Sequence, residues 1–414
     1  MITYWSNDGK AINSNIIKKL DKLINKEKDI KKNIGYNQNT GESFINNSYV
    51  YNFVGFLTDN NDDIYAIFPK HYKPDNLNLD CSNVFKCIFK HMQQNPEMYI
   101  GPESKKIFSS NFPFAEFFNI YDYYKKYGLY KESREIIKPN IGGRIDWKRT
   151  ISNSEKVIIR DDVITYPLFY RRKYNIINFI SECMIYAINY TVQKFHIFLD
   201  NVGYVDYAIP EWDIELQGER ISLSLEHIRQ NIFNDKDGQL VDSLIRFYRK
   251  FNYGGCFYMK HYNFSSIWEN MVNVYLQNYF EGVKNETIVF SEFPIKRCNF
   301  NKKTFYVNIA NKKTFIAPDH YYANEEQQFI FDAKYYNEVN GLSYKEIAYL
   351  FMLLDYKKDN TNFKDTYSAL ILPSENRHTK IHFQIDPIFS EYYQNAKITE
   401  EYLDIKQIIK CYIA

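Results

Sequence analysis

The sequence predicts a multidomain α+β protein, and three observations lead there. At 414 residues the chain is long enough for two or three domains, each burying its own core. Paired strand-like runs around polar turns fall towards both ends: Tyr49 to Leu57 with Ile64 to His71, and Thr314 to Asp319 with Gln328 to Lys334. Between them, from Tyr174 to Phe251, apolar residues recur mainly at helical spacing. The expected division is a mixed α+β N-terminal half over residues 1–172, a helical middle section over 173–255, and a C-terminal α/β domain over 256–414.

Taken in order, Asn13 to Lys32 is lysine-rich with apolar residues at helical spacing and reads as a solvated surface helix. The hairpin around residues 59–63 follows, then amphipathic helices over Asn83 to Gln94 and Phe114 to Tyr127. Gly142 to Thr150, GGRIDWKRT, is a glycine pair leading into a strand-like run; Arg144, Trp147, Lys148 and Arg149 there suit phosphates or a partner's acidic groups, or face water. A hairpin is expected over Lys156 to Tyr170, and helices over Tyr174 to Leu199, Ser222 to Phe233 and Gln239 to Phe251. Gly254-Gly255 marks the entry to the last domain. There, Ser265 to Phe280 reads as a helix, and Lys302 to Ile309 and Thr314 to Asp319 as strands entered through the same pentapeptide, NKKTF. That echo sets Lys302, Lys303, Lys312 and Lys313 near the candidate site, where they follow a phosphate backbone or solvate strand ends. Ser343 and Glu346 form a capping box ahead of Ile347 to Leu354, and Tyr367 to Leu372 and Lys380 to Ile385 close the domain as strands.

Composition excludes several functions. Lys+Arg 52 against Asp+Glu 50 leaves a formal charge of +2, so a nucleic-acid surface must be a local patch. The abundance of Tyr (38) and Phe (32) beside Asn, Lys and Ile reads as an AT-rich coding bias, so single aromatics carry little weight. Six cysteines without a C-x-x-C pair suggest neither a zinc knuckle nor a disulfide framework, and are expected reduced and buried. His378 and His382, in a strand, would stand about 13 Å apart, too far to share a zinc ion. No phosphate loop or nucleophile elbow occurs, so no nucleotide is expected on this chain. The N-terminus lacks a signal-peptide pattern, and the most apolar stretch is broken by Asn178, Ser181 and Glu182; no membrane partner and a cytoplasmic location are expected.

The chemistry gathers in TFIAPDHYYANEEQQFIFDAKYY, Thr314 to Tyr336. Alternation along a strand puts Asp332 and Lys334 on one face, and a hairpin brings Asp319 alongside. Two carboxylates and an ammonium on one spot suit phosphodiester hydrolysis, where a carboxylate-held divalent ion offsets charge that develops on oxygen. The bland alternative is a surface hairpin with an internal Asp332–Lys334 ion pair.

Pro318-Asp319 followed thirteen positions later by Asp332-Ala333-Lys334 resembles the PD-(D/E)xK nuclease superfamily. That resemblance implies a restriction-endonuclease-like core of helix, three-stranded meander, helix and strand. An acid on the first helix often completes the metal shell there, and Glu269 matches it. Several branches carry Gln-x-x-x-Tyr on the second helix, facing nucleic acid; Lys345 and Tyr349 stand at that spacing, with lysine for glutamine. With Phe53 to Lys70, Gly142 to Thr150 and Ile267 to Met271 in the same order, the chain resembles the LlaJI family of restriction endonucleases, related to the McrC nuclease subunit. The resemblance implies a bacterial subunit that cuts double-stranded DNA beside a McrB-like AAA+ GTPase, the N-terminal half engaging the motor. It also implies Mg²⁺, or Mn²⁺ in its place, on Asp319, Asp332 and the Ala333 carbonyl, with Glu269 direct or through water and Lys334 orienting the nucleophile. The alternatives are a GTPase-activating adaptor with a silent nuclease fold, and a stand-alone repair or defence nuclease.

Overall fold

The computed structural model describes residues 2–12, 23–36, 43–59, 63–99, 103–160, 162–199, 202–208, 212, 214–250, 256–284, 286–311, 313–339, 341, 344–354, 356–358, 361–388 and 396–414. The fold is mixed α+β with several separate sheets. The chain forms two compact units, one of Met1–Phe112 with Tyr253–Ala414 and one of Pro113–Asn252. These differ from the boundaries expected after 172 and 255, because the two ends of the chain build one unit together.

In that unit a five-stranded sheet contains β1 (Ile2–Asn7), β2 (Val54–Thr58), β3 (Ile64–Phe68), β4 (Phe108–Ser110) and, from far along the chain, β5 (Tyr258–His261). Their order is β1-β3-β2-β5-β4, with β1 parallel to β3 and the other pairs antiparallel. The expected β2–β3 hairpin is present, and every residue of both strands is buried. Gly55 is required by the approach of β5: a Cβ there would stand 1.9 Å from the Met259 carbonyl oxygen. Beneath the sheet runs helix α1 (Leu77–Gln94), six residues longer at its start than the apolar pattern showed because the Asn76 side chain caps it by accepting from the Leu79 N–H.

Part of the expected surface helix over 13–32 lies outside the described residues, and its end is instead strand: Ile30–Tyr36 pairs with Ser43–Tyr51.

The C-terminal part begins with helix α2 (Phe264–Tyr279) and centres on a second five-stranded sheet. Its strands are β6 (His320–Ala323) and β7 (Gln327–Ala333), then after helix α3 (Tyr344–Leu354) β8 (Asp365–Ser374), β9 (His378–Gln384) and β10 (Lys397–Asp404), followed by helix α4 (Ile405–Ile413). The order is β6-β7-β8-β10-β9. β7, β8 and β10 run parallel, α3 serving as the crossover from β7 to β8. The expected three-stranded meander is a two-stranded β6–β7 hairpin in this sheet, while Phe280–Lys284 and Thr287–Phe290 pair separately. Lys302–Ile309 and Thr314–Asp319 are not strands: isolated bridges, Asn301 to Tyr321 and Phe305 to Ile316, hold that segment as a loop.

The second unit packs helices Phe114–Tyr127, Phe179–Lys194, Ile214–Arg229 and Asp235–Arg249 beside small sheets. The GGRIDWKRT run is a two-residue strand, Arg144–Ile145, and then a helix, Trp147–Asn153. Asp146 makes that turn: its carboxylate accepts from the Arg149 N–H at 3.0 Å and pairs with Arg171 at 2.8 Å. None of the six cysteines is in a disulfide; Cys81, Cys87 and Cys183 are buried and the other three are intermediate in exposure. Among the described residues no helix is long and apolar enough to cross a membrane.

Candidate active site

β7 is the middle of the site because it is buried along nearly its whole length, with neighbours on both edges. Phe329 and Phe331 face an aromatic cluster with Phe280, and alternation sends Gln328, Ile330 and Asp332 to the face covered by α3. The Gln328 amide fastens that helix, its Nε2 donating to the Leu353 carbonyl at 2.6 Å and to Thr366 Oγ1 at 2.8 Å. The first turn of α3 then overlies the end of β7, bringing Lys345 and Glu346 to Asp332 and Lys334. From the opposite side, Trp268 Nε1 of α2 donates to the Ile371 carbonyl, 3.2 Å away, which also accepts the Lys334 N–H at 2.9 Å. A carbonyl has two lone pairs, so this one oxygen ties the Glu269 helix to the Lys334 backbone.

Glu269, Asp319, Asp332 and Lys334 therefore come together, as expected, although Asp319 lies just before β6 in the loop. The Lys334 ammonium pairs with Asp332 Oδ2 and stands 2.6 Å from Glu346 Oε1. Lys345 approaches Asp332 Oδ1 at 3.5 Å. Lys302 bridges the remaining acids, 3.6 Å from Glu269 and 3.4 Å from Asp319.

The electrostatics divide the two aspartates. Burial, then repulsion from Asp332 and Glu269, raises the Asp319 pKa to about 6. Burial pushes Asp332 the same way, but Lys334 and Lys345 outweigh it and hold its pKa below the ordinary value. Burial also opposes the charge on Lys334, yet Asp332 and Glu346 raise its pKa well above the usual lysine value. Asp332 is thus the more persistent anion, and Asp319 keeps its proton to a higher pH. His320, opposite Phe331 in the hairpin, takes the other face of the sheet; burial lowers its pKa to about 4 against the pull of Asp332.

Other expected residues are placed differently. Tyr349 is buried among Phe305, Ile316, Tyr321 and Ile330 rather than facing outwards. Lys313 is exposed in the loop, and Lys312 lies outside the described residues. Arg144, Trp147, Lys148 and Arg149 are exposed in the second unit. Glu346 holds Lys334, while Ser343, its expected partner in a capping box, lies outside the described residues; Lys302 stands between acids, and the signal for Glu346 was a charged residue at the start of an otherwise apolar helix.

No family model matches the chain, and no curated protein does. Among the solved structures similar to this chain is one in the refined half-complex from the tetradecameric assembly of Thermococcus gammatolerans McrB AAA+ hexamers with bound McrC, at 12% identity and a TM-score of 0.40, over 100% of this chain and 98% of that one. Likeness at that level carries no argument about chemistry, which rests on the side chains.

Those side chains suit a divalent ion in part. Both Asp332 oxygens are buried, and the Lys334 and Lys345 ammonium groups and the Asp319 carboxyl lie beside them. Asp319 lies close enough to Asp332 for the two to raise and lower each other's proton affinity. Among the described residues, however, no three His, Cys, Asp or Glu side chains already stand as a ligand group; Glu269 is separated from the aspartates by Lys302.

Proposed function

We propose that the chain is the DNA-cleaving subunit of a bacterial restriction system, an Mg²⁺-dependent endodeoxyribonuclease that works with a McrB-like AAA+ GTPase. The observation that carries the proposal is the convergence of Asp319, Asp332 and Lys334 at the end of a buried strand, with Glu269 presented from α2. An isolated surface hairpin would not surround its Asp-x-Lys with two helices and two more acids. Asp319, Asp332 and the Ala333 carbonyl would hold Mg²⁺ or Mn²⁺, with Glu269 direct or through water. When bound, such an ion offsets charge on the phosphoryl oxygens and the leaving alkoxide, and acidifies water. Lys334, fixed between Asp332 and Glu346, orients the attacking water, and Lys345 is half-exposed where a phosphate can reach it.

The partner and the double-stranded DNA substrate rest on the sequence resemblance to the LlaJI family. Exposed Trp147, at 57%, with Arg144, Lys148 and Arg149 around it, offers a docking surface for the partner or for phosphates. The test is plasmid cleavage with and without the AAA+ protein, GTP and Mg²⁺. Asp332→Asn is expected to lower cleavage by roughly three orders of magnitude or more, with the thermal melt retained; full activity in that variant ends the proposal. The lack of a ready three-ligand group among the described residues favours one second reading, a catalytically silent adaptor. It predicts GTPase stimulation with no cleavage under any metal.

A further inference from the structure

Lys302 stands in the site although the Asp-x-Lys motif does not contain it. The backbone holds it there: Asn301 and Tyr321 exchange hydrogen bonds of 3.1 and 2.8 Å, and Phe305 and Ile316 exchange a second pair of 2.8 and 3.0 Å four residues on. These bonds seat the start of the loop against the start of β6, so that Lys302 lies beside Asp319. Its ammonium then reaches Asp319 on the loop and Glu269 on α2 at nearly equal distances, 3.4 and 3.6 Å. Burial works against its charge, and the two acids outweigh it. Its side chain remains 60% exposed, so it can swing away without unpacking any core. The loop beyond it is open to solvent, with Tyr306, Ile309 and Phe315 exposed.

We infer that Lys302 is an exchangeable internal counter-ion: it fills the gap between Glu269 and Asp319 until a divalent cation takes its place, and is then released towards the DNA backbone. This rests on the nuclease reading above. The physical reason is that Asp332 and Glu269 both repel Asp319, and a single flexible ammonium between Glu269 and Asp319 relieves part of this at little cost. A compact divalent ion carries twice the charge and displaces it. Held at 60% exposure, the two ion pairs are weak enough to exchange. Freed on an open loop, the ammonium becomes one more phosphate contact.

The experiment is calorimetric titration of Mn²⁺ into the full chain without DNA, comparing wild type, Lys302→Met, Lys302→Arg and Asp332→Asn. Lys302→Met should bind Mn²⁺ roughly three- to tenfold more tightly, the size expected for removing two exposed ion pairs. Lys302→Arg, which keeps the cation, should stay near wild type, and Asp332→Asn should lose binding. Unchanged or weaker affinity in Lys302→Met, with normal loss in Asp332→Asn, overturns the counter-ion role alone. No Mn²⁺ binding by wild type or Lys302→Met overturns the metal-dependent reading and this inference with it. Release towards DNA is read from anisotropy of a duplex oligonucleotide in Ca²⁺ across a salt series: the log–log slope should be shallower by about one in Lys302→Met. An unchanged slope overturns that half.

Discussion

Lys334 depends on a residue that its own motif does not contain. Its side chain is 16% exposed, with the ammonium caught between Asp332 and Glu346, the latter 2.6 Å away and itself buried. Glu346→Ala leaves Lys334 with one carboxylate and freedom to turn. Cleavage by this variant should fall roughly 10- to 100-fold in kcat with KM little changed, the usual effect of removing a group that orients a site residue, and Glu346→Gln should recover part of the loss. Wild-type kcat in Glu346→Ala would remove Glu346 from the site. Asp332 and Lys334 were legible because alternation along a strand needs only neighbours in sequence. Glu346, Lys302 and Tyr349 were not, since their roles depend on which way a helix or loop is turned by contacts far along the chain. Lys-x-x-x-Tyr spacing suggested an outward face; α3 docks instead with Tyr349 in the core, and with Glu346 over Lys334.

Where elements meet, a buried polar chain joins α1 to β5. His91 Nδ1 lies 2.7 Å from the Tyr99 hydroxyl, which lies 2.8 Å from His261 Nε2. The buried His261 Nδ1 has no partner, so the cheaper arrangement puts the proton on Nε2: His261 donates to Tyr99, and Tyr99 donates to His91. Both rings are therefore neutral in the fold, and burial lowers their pKa values to about 3 for His261 and about 4 for His91. Unfolded histidine titrates near 6.5, so as pH falls below that value the unfolded chain takes up protons that the folded chain refuses. The stabilisation is complete above pH 6.5 and is lost as pH falls towards the folded values. At pH 5.5 the loss is roughly 1.4 kcal/mol for each histidine. Denaturant melts at pH 7.0 and 5.5 should show it, and His261→Phe should have the smaller pH difference; equal differences in both proteins would refute the linkage. Strongly periodic elements such as Phe114–Tyr127 and the β2–β3 hairpin were legible from sequence. GGRIDWKRT was not, because its glycines and cations suit a strand as well as a loop, and the decisive feature is Asp146 capping the helix that follows.

Across the whole molecule, the largest departure from the sequence reading is that the C-terminal stretch is not a domain by itself. β5 lies between β2 and β4 in the N-terminal sheet, an arrangement with no local signature because its partners are some two hundred and a hundred and fifty residues earlier. Buried Lys260 of that strand pairs with buried Asp29, whose other oxygen accepts from Tyr262 at 2.7 Å. Past β7, the buried Tyr335 hydroxyl accepts the Lys70 N–H at 2.8 Å, and the Lys70 ammonium donates to the Tyr335 carbonyl at 3.2 Å. α4 returns to α1, where Lys90 donates to the Tyr412 carbonyl at 2.6 Å. A fragment of residues 256–414 would leave Lys260 without its carboxylate, and an uncompensated buried charge costs about 3–5 kcal/mol before the lost sheet pairing is counted. That fragment should therefore lack a cooperative melt. By contrast, a chain in which a short Gly-Ser linker replaces residues 113–252 keeps every one of these contacts and should melt cooperatively by circular dichroism. If the fragment folds and the linked chain does not, the site belongs to a self-sufficient C-terminal domain and the N-terminal sheet is not part of its framework.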